Sequence, residues 1–143
     1  MRTVLCILLL TLSASVSAHA QEARQQAQTQ TAAVNVTGYY TYRQSNVSNS
    51  LAVLRLPDGK IKFQLIALLL VGQGARNGEV RGIASLENST AVYDENGCQV
   101  TMKFSRTSAA VSVSNEDACG FGAYVTANGV YAKRNSRKPK FDF

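Results

Sequence analysis

From Gly38 onward the chain is a series of short apolar runs separated by turn signals, and this pattern constrains the fold more than any other feature. The turn signals are Pro57-Asp58-Gly59, Asn77-Gly78, Asn96-Gly97 and Asn128-Gly129. Asn-Gly favours a hairpin because both residues tolerate positive φ, and Pro followed by Gly suits a tight turn. No stretch after Gly38 has a convincing helical period. The spacing therefore predicts strands linked by hairpins.

The clearest strand is 98–105, where Val100, Met102 and Phe104 alternate with polar residues, as in a strand with one buried face. The other predicted strands are 39–43, 51–56, 60–71, 79–86, 91–93, 109–114, 119–125 and 130–133. The run 66–71 is nearly all apolar, so it must be covered on both faces or line something apolar. About eight short strands in series predict an all-β protein. We expect a small antiparallel up-and-down barrel, because closure removes sheet edges, with a β-sandwich as the alternative.

Two cysteines, Cys98 and Cys119, predict one disulfide. They follow a stretch that reads as a secretory signal, and exported proteins meet an oxidising compartment. The spacing is not Cys-x-x-Cys, so a redox or metal pair is disfavoured. Both cysteines would begin strands separated by one other strand, and next-but-one strands lie about 9–10 Å apart. The intervening loop, 115–118, must then fold over the end of the sheet, or the sheet must curl strongly.

The pattern predicts four segments. Residues 1–20 read as a signal peptide, with Arg2, an apolar run and a small-residue ending at Ala20. Residues 21–37 are rich in Gln and Ala and read as a flexible leader. The barrel domain spans 38–132, and a basic tail spans 133–143. We expect a protein exported to the periplasm or outside the cell, without a transmembrane segment in the mature chain.

The single histidine, His19, falls within the predicted signal. Cleavage of the signal would remove His19 and leave a mature chain without histidine. Such a chain cannot form a Ser-His-Asp triad or a His-ligated metal site, so we expect neither a cofactor nor a metal. The pairs Asp94-Glu95 and Glu116-Asp117 are the remaining acid-base candidates. Adjacent carboxylates on turns are usually solvated, whereas a glycosidase needs two that face one another across a sugar. We therefore expect a protein without catalytic activity.

The basic residues concentrate in the tail. Before Lys133 the mature chain has nine basic and eight acidic residues, so the barrel is nearly neutral. The tail could meet an anionic surface, although a solvated, solubilising tail is the simpler interpretation. It lacks interleaved aromatic residues, so specific nucleic-acid binding is not expected. Phe121, between Gly120 and Gly122, could form a binding lip, or could mark a sharp bend beside the disulfide.

The segment Ser89-Thr90-Ala91-Val92-Tyr93 resembles a loop of small exported bacterial barrels that inhibit C-type lysozyme. In that family the loop reads Ser-Gly-x-x-Tyr, and its Ser, with a basic residue from a neighbouring strand, plugs the lysozyme active site. The likeness covers about ten residues, together with the layout of signal peptide, eight strands and one disulfide. Thr90 stands where the family has Gly. The resemblance implies partner-binding roles for Ser89 and Tyr93, with Lys103 as the basic residue.

These features favour a non-enzymatic exported binding protein of the bacterial envelope that resembles a lysozyme inhibitor. The alternative is a carrier of a small apolar ligand inside a lipocalin-like barrel, suggested by the apolar run 66–71. The two hypotheses differ in whether the barrel interior is filled or hollow.

Overall fold

The computed structural model describes residues 33–143, which form a closed barrel of eight antiparallel strands in chain order. The strands are β1 (Gly38–Gln44), β2 (Val47–Arg55), β3 (Ile61–Val71), β4 (Gly74–Glu87), β5 (Thr90–Glu95), β6 (Cys98–Phe104), β7 (Ser108–Val113) and β8 (Gly129–Asn135). Each strand pairs with the next, and β8 closes on β1. The predicted up-and-down barrel is confirmed. The predicted signal and the leader up to residue 32 lie outside the described residues. No helix in the described range is long and apolar enough to cross a membrane.

Antiparallel order gives the barrel two distinct ends. We call one the loop end, because the turns β1–β2, β3–β4 and β5–β6 and the long loop 114–128 lie there. The opposite, terminal end has the turns β2–β3, β4–β5 and β6–β7 and the segments that flank the barrel, 33–37 and 136–143.

Side chains fill the barrel interior. The largest fully buried ones are Tyr40, Tyr131, Phe63, Leu51, Ile61, Leu65, Met102, Val36, Val53, Val100 and Val125. Both buried tyrosines keep their hydroxyls hydrogen-bonded, as burial of a polar group requires. Tyr40 donates to the carbonyl of Val36, and Tyr131 to that of Ala127, each at 2.7 Å. A carrier of an apolar ligand would need part of this space empty.

The turn between β3 and β4 was wrongly predicted. The chain turns at Gly72-Gln73, where Gly72 has φ +57°, and Asn77-Gly78 lies inside β4. A Cβ at Gly78 would lie 2.2 Å from Cδ1 of Phe121 and 2.6 Å from its Cα. Gly78 is therefore needed because another segment packs directly on the strand, not because the chain turns.

The predicted strand 119–125 is also wrong. This segment belongs to the loop 114–128, which folds over the loop end. Cys119 is bonded to Cys98 with their Cα atoms 4.6 Å apart, so the predicted disulfide is confirmed. Val125 and Ala127 are buried, and Asn49, the buried polar residue of the core, donates to the carbonyl of Thr126. The loop thus closes the barrel as a plug.

The apolar run 66–71 meets neither of its predicted environments. Ile66 and Leu68 are half-buried on the outer wall, and Leu70 and Val71 are 48% and 47% exposed at the hairpin tip. The end of strand β3 extends beyond the body of the barrel, so no other segment packs on its last residues, Leu70 and Val71.

The C-terminal segment is not a fully solvated tail. Strand β8 continues to Asn135, and Lys133 is half-buried within it. Pro139 is buried, and the Lys62 ammonium lies 4.3 Å from the ring centroid of Phe143 and donates to its carbonyl. The segment after β8 therefore folds back onto the wall formed by β3 and β4.

Candidate functional site

The hairpin between β4 and β5 carries Ser89, the serine predicted to bind a partner. Asn88 and Ser89 form its two-residue turn, with φ of +45° and +66°. Two positive φ values suit a type I′ turn, which matches the twist of the flanking strands. Asn tolerates this region well, but Ser visits it rarely, so Ser89 is held in a costly conformation. Its carbonyl accepts a hydrogen bond of 2.8 Å from the amide of Phe104, which fixes the turn against β6.

Thr90 has the backbone of an ordinary strand residue. It is the first residue of β5, pairs with both Glu87 and Lys103, and is not among the residues with positive φ. This hairpin therefore needs no Gly at that position. Lys103 of β6 pairs with Thr90, the residue that follows Ser89. The Lys103 side chain is exposed on the outer wall of the barrel. The structure thus brings Ser89 and Lys103 into one neighbourhood at the terminal end.

A groove of about 410 Å³ runs along the outer wall of the same hairpin. Its lining residues are Ser85, Glu87, Asn88, Thr90 and Val92. Val92 is 43% exposed and supplies an apolar floor among polar groups. An apolar centre with a polar rim is typical of a protein-binding surface.

Tyr93 does not join this surface. Its ring points into the barrel, where a Cβ at Gly82 would lie 2.6 Å from Cε2 and where it meets the edge of Phe63 at 5.3 Å. The hydroxyl reaches the loop end and donates to Oε2 of Glu95 at 2.7 Å. Burial, followed by the hydrogen bond with Glu95 and its charge, raises the pKa of Tyr93 to about 12. Tyr93 is therefore a neutral packing residue with a polar tip.

Phe121 is also separate from Ser89 and Lys103. Its side chain is only 5% exposed and packs over Gly78 at the loop end. Of the two interpretations of Phe121, an accessible lip does not fit this burial. The alternative is closer to the structure: the chain bends sharply here, with Gly120 at φ +74°, although no strand is present.

A second feature, which no sequence pattern indicated, is a cleft between β4 and β5 near the loop end. It measures about 230 Å³ and is lined by Glu79, Val80, Arg81, Tyr93, Glu95, Asn96, Cys98, Ala118 and Cys119. The cleft exists because β4 and β5 pair only beside their turn and separate toward the loop end. A local sequence signal for such a divergence does not exist, since each strand alone has ordinary alternation.

The carboxylate pairs of the sequence analysis make hydrogen bonds to neighbouring side chains. Asp94 accepts from Gln99 and Glu116 from Asn128, which is the behaviour of structural surface carboxylates. Within residues 33–143, no three His, Cys, Asp or Glu side chains converge as metal ligands would. Burial lowers the pKa of Lys133, whose ammonium donates to the carbonyl of Asn35.

Comparison with known proteins identifies no relative: no family model, curated protein or solved structure matches this chain.

Proposed function

We propose that this protein is a non-enzymatic exported binding module that inhibits a C-type lysozyme through the β4–β5 hairpin. The observation that carries the proposal is the conformation of Ser89. It is held at φ +66° at the tip of a two-residue turn, beside Lys103. A non-Gly residue kept in this region by its surroundings is a reason to look for function, because the conformation costs free energy.

The chemistry of the two side chains suits a glycosidase cleft. Such a cleft holds two carboxyl groups that flank the scissile bond. A hydroxyl and an ammonium presented together can donate hydrogen bonds to both, and charge-assisted bonds are the stronger kind. The turn is braced by the Phe104 amide, so little conformational entropy remains to be lost on binding.

The disulfide supports export, since such bonds persist in oxidising compartments. The filled interior supports recognition at the surface of the barrel rather than inside it. We assign no partner-binding role to Tyr93 or Phe121. The exposed basic residues after β8, Arg137, Lys138 and Lys140, remain available to an anionic surface.

Calorimetric titration of residues 21–143 into a C-type lysozyme tests the proposal. We expect saturable binding, and a loss of at least tenfold in affinity, about 1.4 kcal/mol, for Ser89→Ala and for Lys103→Ala. Ser112→Ala on the outer wall of β7 and Lys60→Ala at the β2–β3 turn are matched controls and should leave the affinity unchanged. Absence of binding at tens of micromolar, or equal losses in the controls, would refute the proposal.

A further inference from the structure

The barrel wall has a gap on one side of β4. Pairing between β4 and β5 is limited to Ser85–Val92, Leu86–Ala91 and Glu87–Thr90. On its other side β4 pairs with β3 along almost its whole length, from Gly74 to Ala84. The part of β4 from 79 to 83 therefore has a neighbouring strand on one side only.

The pairing register shows which backbone groups face this gap. The β3–β4 hairpin closes at Val71 and Gly74 across a two-residue turn, so even-numbered residues of β4 exchange hydrogen bonds with β3. The amide of Leu70, an even-numbered residue of β3, donates to Asn46 on the opposite side, which agrees with this alternation. Odd-numbered residues of β4 consequently direct their N–H and C=O groups into the gap. These residues are Glu79, Arg81 and Ile83.

The strand pairing of the described residues gives these groups no partner on β5. The backbone hydrogen bonds made outside the strand ladders include bonds from loops to strands, but none to residue 79, 81 or 83. Asp94 on β5 faces the gap in the same way, because β5 uses its odd-numbered residues to bond β6. An open edge of this kind is a template for a further strand, and peptide-binding domains use it in that way.

The cleft beside the edge indicates which side chain an added strand would carry. Its lining includes the apolar groups of Val80, Ala118 and the disulfide together with the carboxylates of Glu79 and Glu95. Arg81 also lines the cleft, and its guanidinium lies 3.8 Å from Glu79 and 3.7 Å from Asp142. Glu79 and Asp142 therefore offset the charge of Arg81, and Glu95 is the carboxylate left for a ligand cation. A lysine or arginine would lay its apolar stem on the apolar groups and bring its cation to Glu95.

We infer that the open edge of β4 binds an extended basic segment of a partner protein as an added strand, with one Lys or Arg side chain in the cleft. Residues 79 to 83 span about 17 Å, which is the length of a typical strand, so five residues of the partner suffice. This surface lies toward the loop end and is distinct from the hairpin that carries Ser89.

Backbone amide hydrogen exchange, followed by NMR, tests the inference. In the free protein the amides of 79, 81 and 83 should exchange fast, and those of 80, 82 and 84 slowly. The probe is a capped pentapeptide of sequence Thr-Val-Lys-Val-Thr. At saturation it should slow exchange at the three odd-numbered positions at least tenfold, whereas the same peptide N-methylated at every amide should not.

Two pairs of variants separate strand addition from simple charge attraction. Arg81→Pro removes a donor that faces the gap and should abolish probe binding, whereas Arg81→Ala keeps that donor and should retain binding. Glu95→Gln should weaken binding at least fivefold, while Asp58→Asn at the β2–β3 turn should not. Protected odd-numbered amides in the free protein, unchanged exchange at millimolar probe, or equal binding of the N-methylated peptide would each overturn the inference. The peptide comparison stands even if Arg81→Pro fails to fold.

Discussion

Replacing Gly78 with Ala should destabilise the protein strongly, because the plug packs on the backbone of β4 at this residue. The new Cβ would lie 2.2 Å from Cδ1 of Phe121 and 2.6 Å from its Cα, whereas ordinary carbon contacts are about 3.5–4 Å. A rotation of the ring would not relieve the second contact, since it involves the backbone. The disulfide at Cys119 restrains the loop two residues away, so the loop cannot simply shift along the barrel.

The magnitude follows from two contributions. Overpacking of this kind costs about 1–3 kcal/mol. If the ring of Phe121 leaves its site, loss of its burial costs about 1.5–3 kcal/mol. We expect a decrease of about 3 kcal/mol in the free energy of unfolding. With a urea m-value of about 1.5 kcal/mol/M, the unfolding midpoint should fall by about 2 M.

Gly74→Ala on the same strand is the matched control. Its Cβ would meet only the carbonyl of Val71, at 3.7 Å, and its φ is not positive. Since Gly costs about 0.5–1 kcal/mol relative to Ala in a strand, this variant should be as stable as the parent or slightly more so. Urea unfolding followed by far-ultraviolet circular dichroism measures both. A midpoint for Gly78→Ala within 0.3 M of the parent, at an unchanged m-value, would refute the packing argument, taking ~0.5 kcal/mol as the size of ordinary surface effects.

Three further predictions concern the disulfide, the tyrosines and the turn. Joint replacement of Cys98 and Cys119 by Ala should lower the free energy of unfolding by about 3 kcal/mol, because the disulfide closes a loop with a sequence separation of 21. Urea unfolding measures this change, and a loss below about 1 kcal/mol would contradict the chain-entropy reasoning. Burial raises the pKa of Tyr40 and of Tyr93 from 10.0 to about 12, because the folded protein favours the neutral phenols. Their contribution to the free energy of unfolding should be fully present below pH 10 and be lost as the pH rises toward 12. Spectrophotometric titration should show both phenols ionising later than free tyrosine, and ionisation of all six tyrosines near pH 10 in the folded protein would argue against this. Ser89→Gly should raise the free energy of unfolding by about 1 kcal/mol, because Gly adopts the positive φ without strain. The same variant should bind lysozyme more weakly, because it lacks the hydroxyl. Thermal unfolding and calorimetry measure the two quantities, and a rise or a fall in both stability and affinity would contradict the prediction.

Local patterns in the sequence were sufficient for the fold class because most strands, although not the second half of β3, carry their own alternation. In β6, for example, the inward set Cys98, Val100, Met102 and Phe104 is buried, as the period of two predicts. Asn96-Gly97 also forms the predicted hairpin turn, with φ of +52° and +80°.

The same dipeptide was misleading at Asn77-Gly78, because a Gly can serve either a turn or a close approach of another segment. The sequence around Gly78 does not distinguish these uses. Only the position of Phe121, 43 places along the chain, does so, and that position depends on how the long loop folds. The turn at Gly72-Gln73 was also not predicted, because the apolar run 66–71 continues up to Gly72 without a turn signal.

The partner-binding roles of Ser89 and Lys103 stay predictions, and the sequence indicates only part of how these residues are placed. The spacing from Ser89 to Tyr93 matched the family loop, but spacing within a strand does not show which face a residue occupies in a curved sheet. Lys103 lies near Ser89 in the sheet because β5 and β6 pair in a register that places Thr90, the residue after Ser89, opposite Lys103. The gap beside β4 could not be anticipated, since it arises from the angle at which two strands separate.

Residual lytic activity tests directly whether the β4–β5 hairpin occupies a lysozyme active site, as proposed. A C-type lysozyme is assayed on bacterial cell walls with increasing amounts of residues 21–143. We expect lysis to fall to near zero at a stoichiometric amount of the parent protein and to be restored with Ser89→Ala or Lys103→Ala. Undiminished lysis in the presence of excess parent protein would contradict the claim.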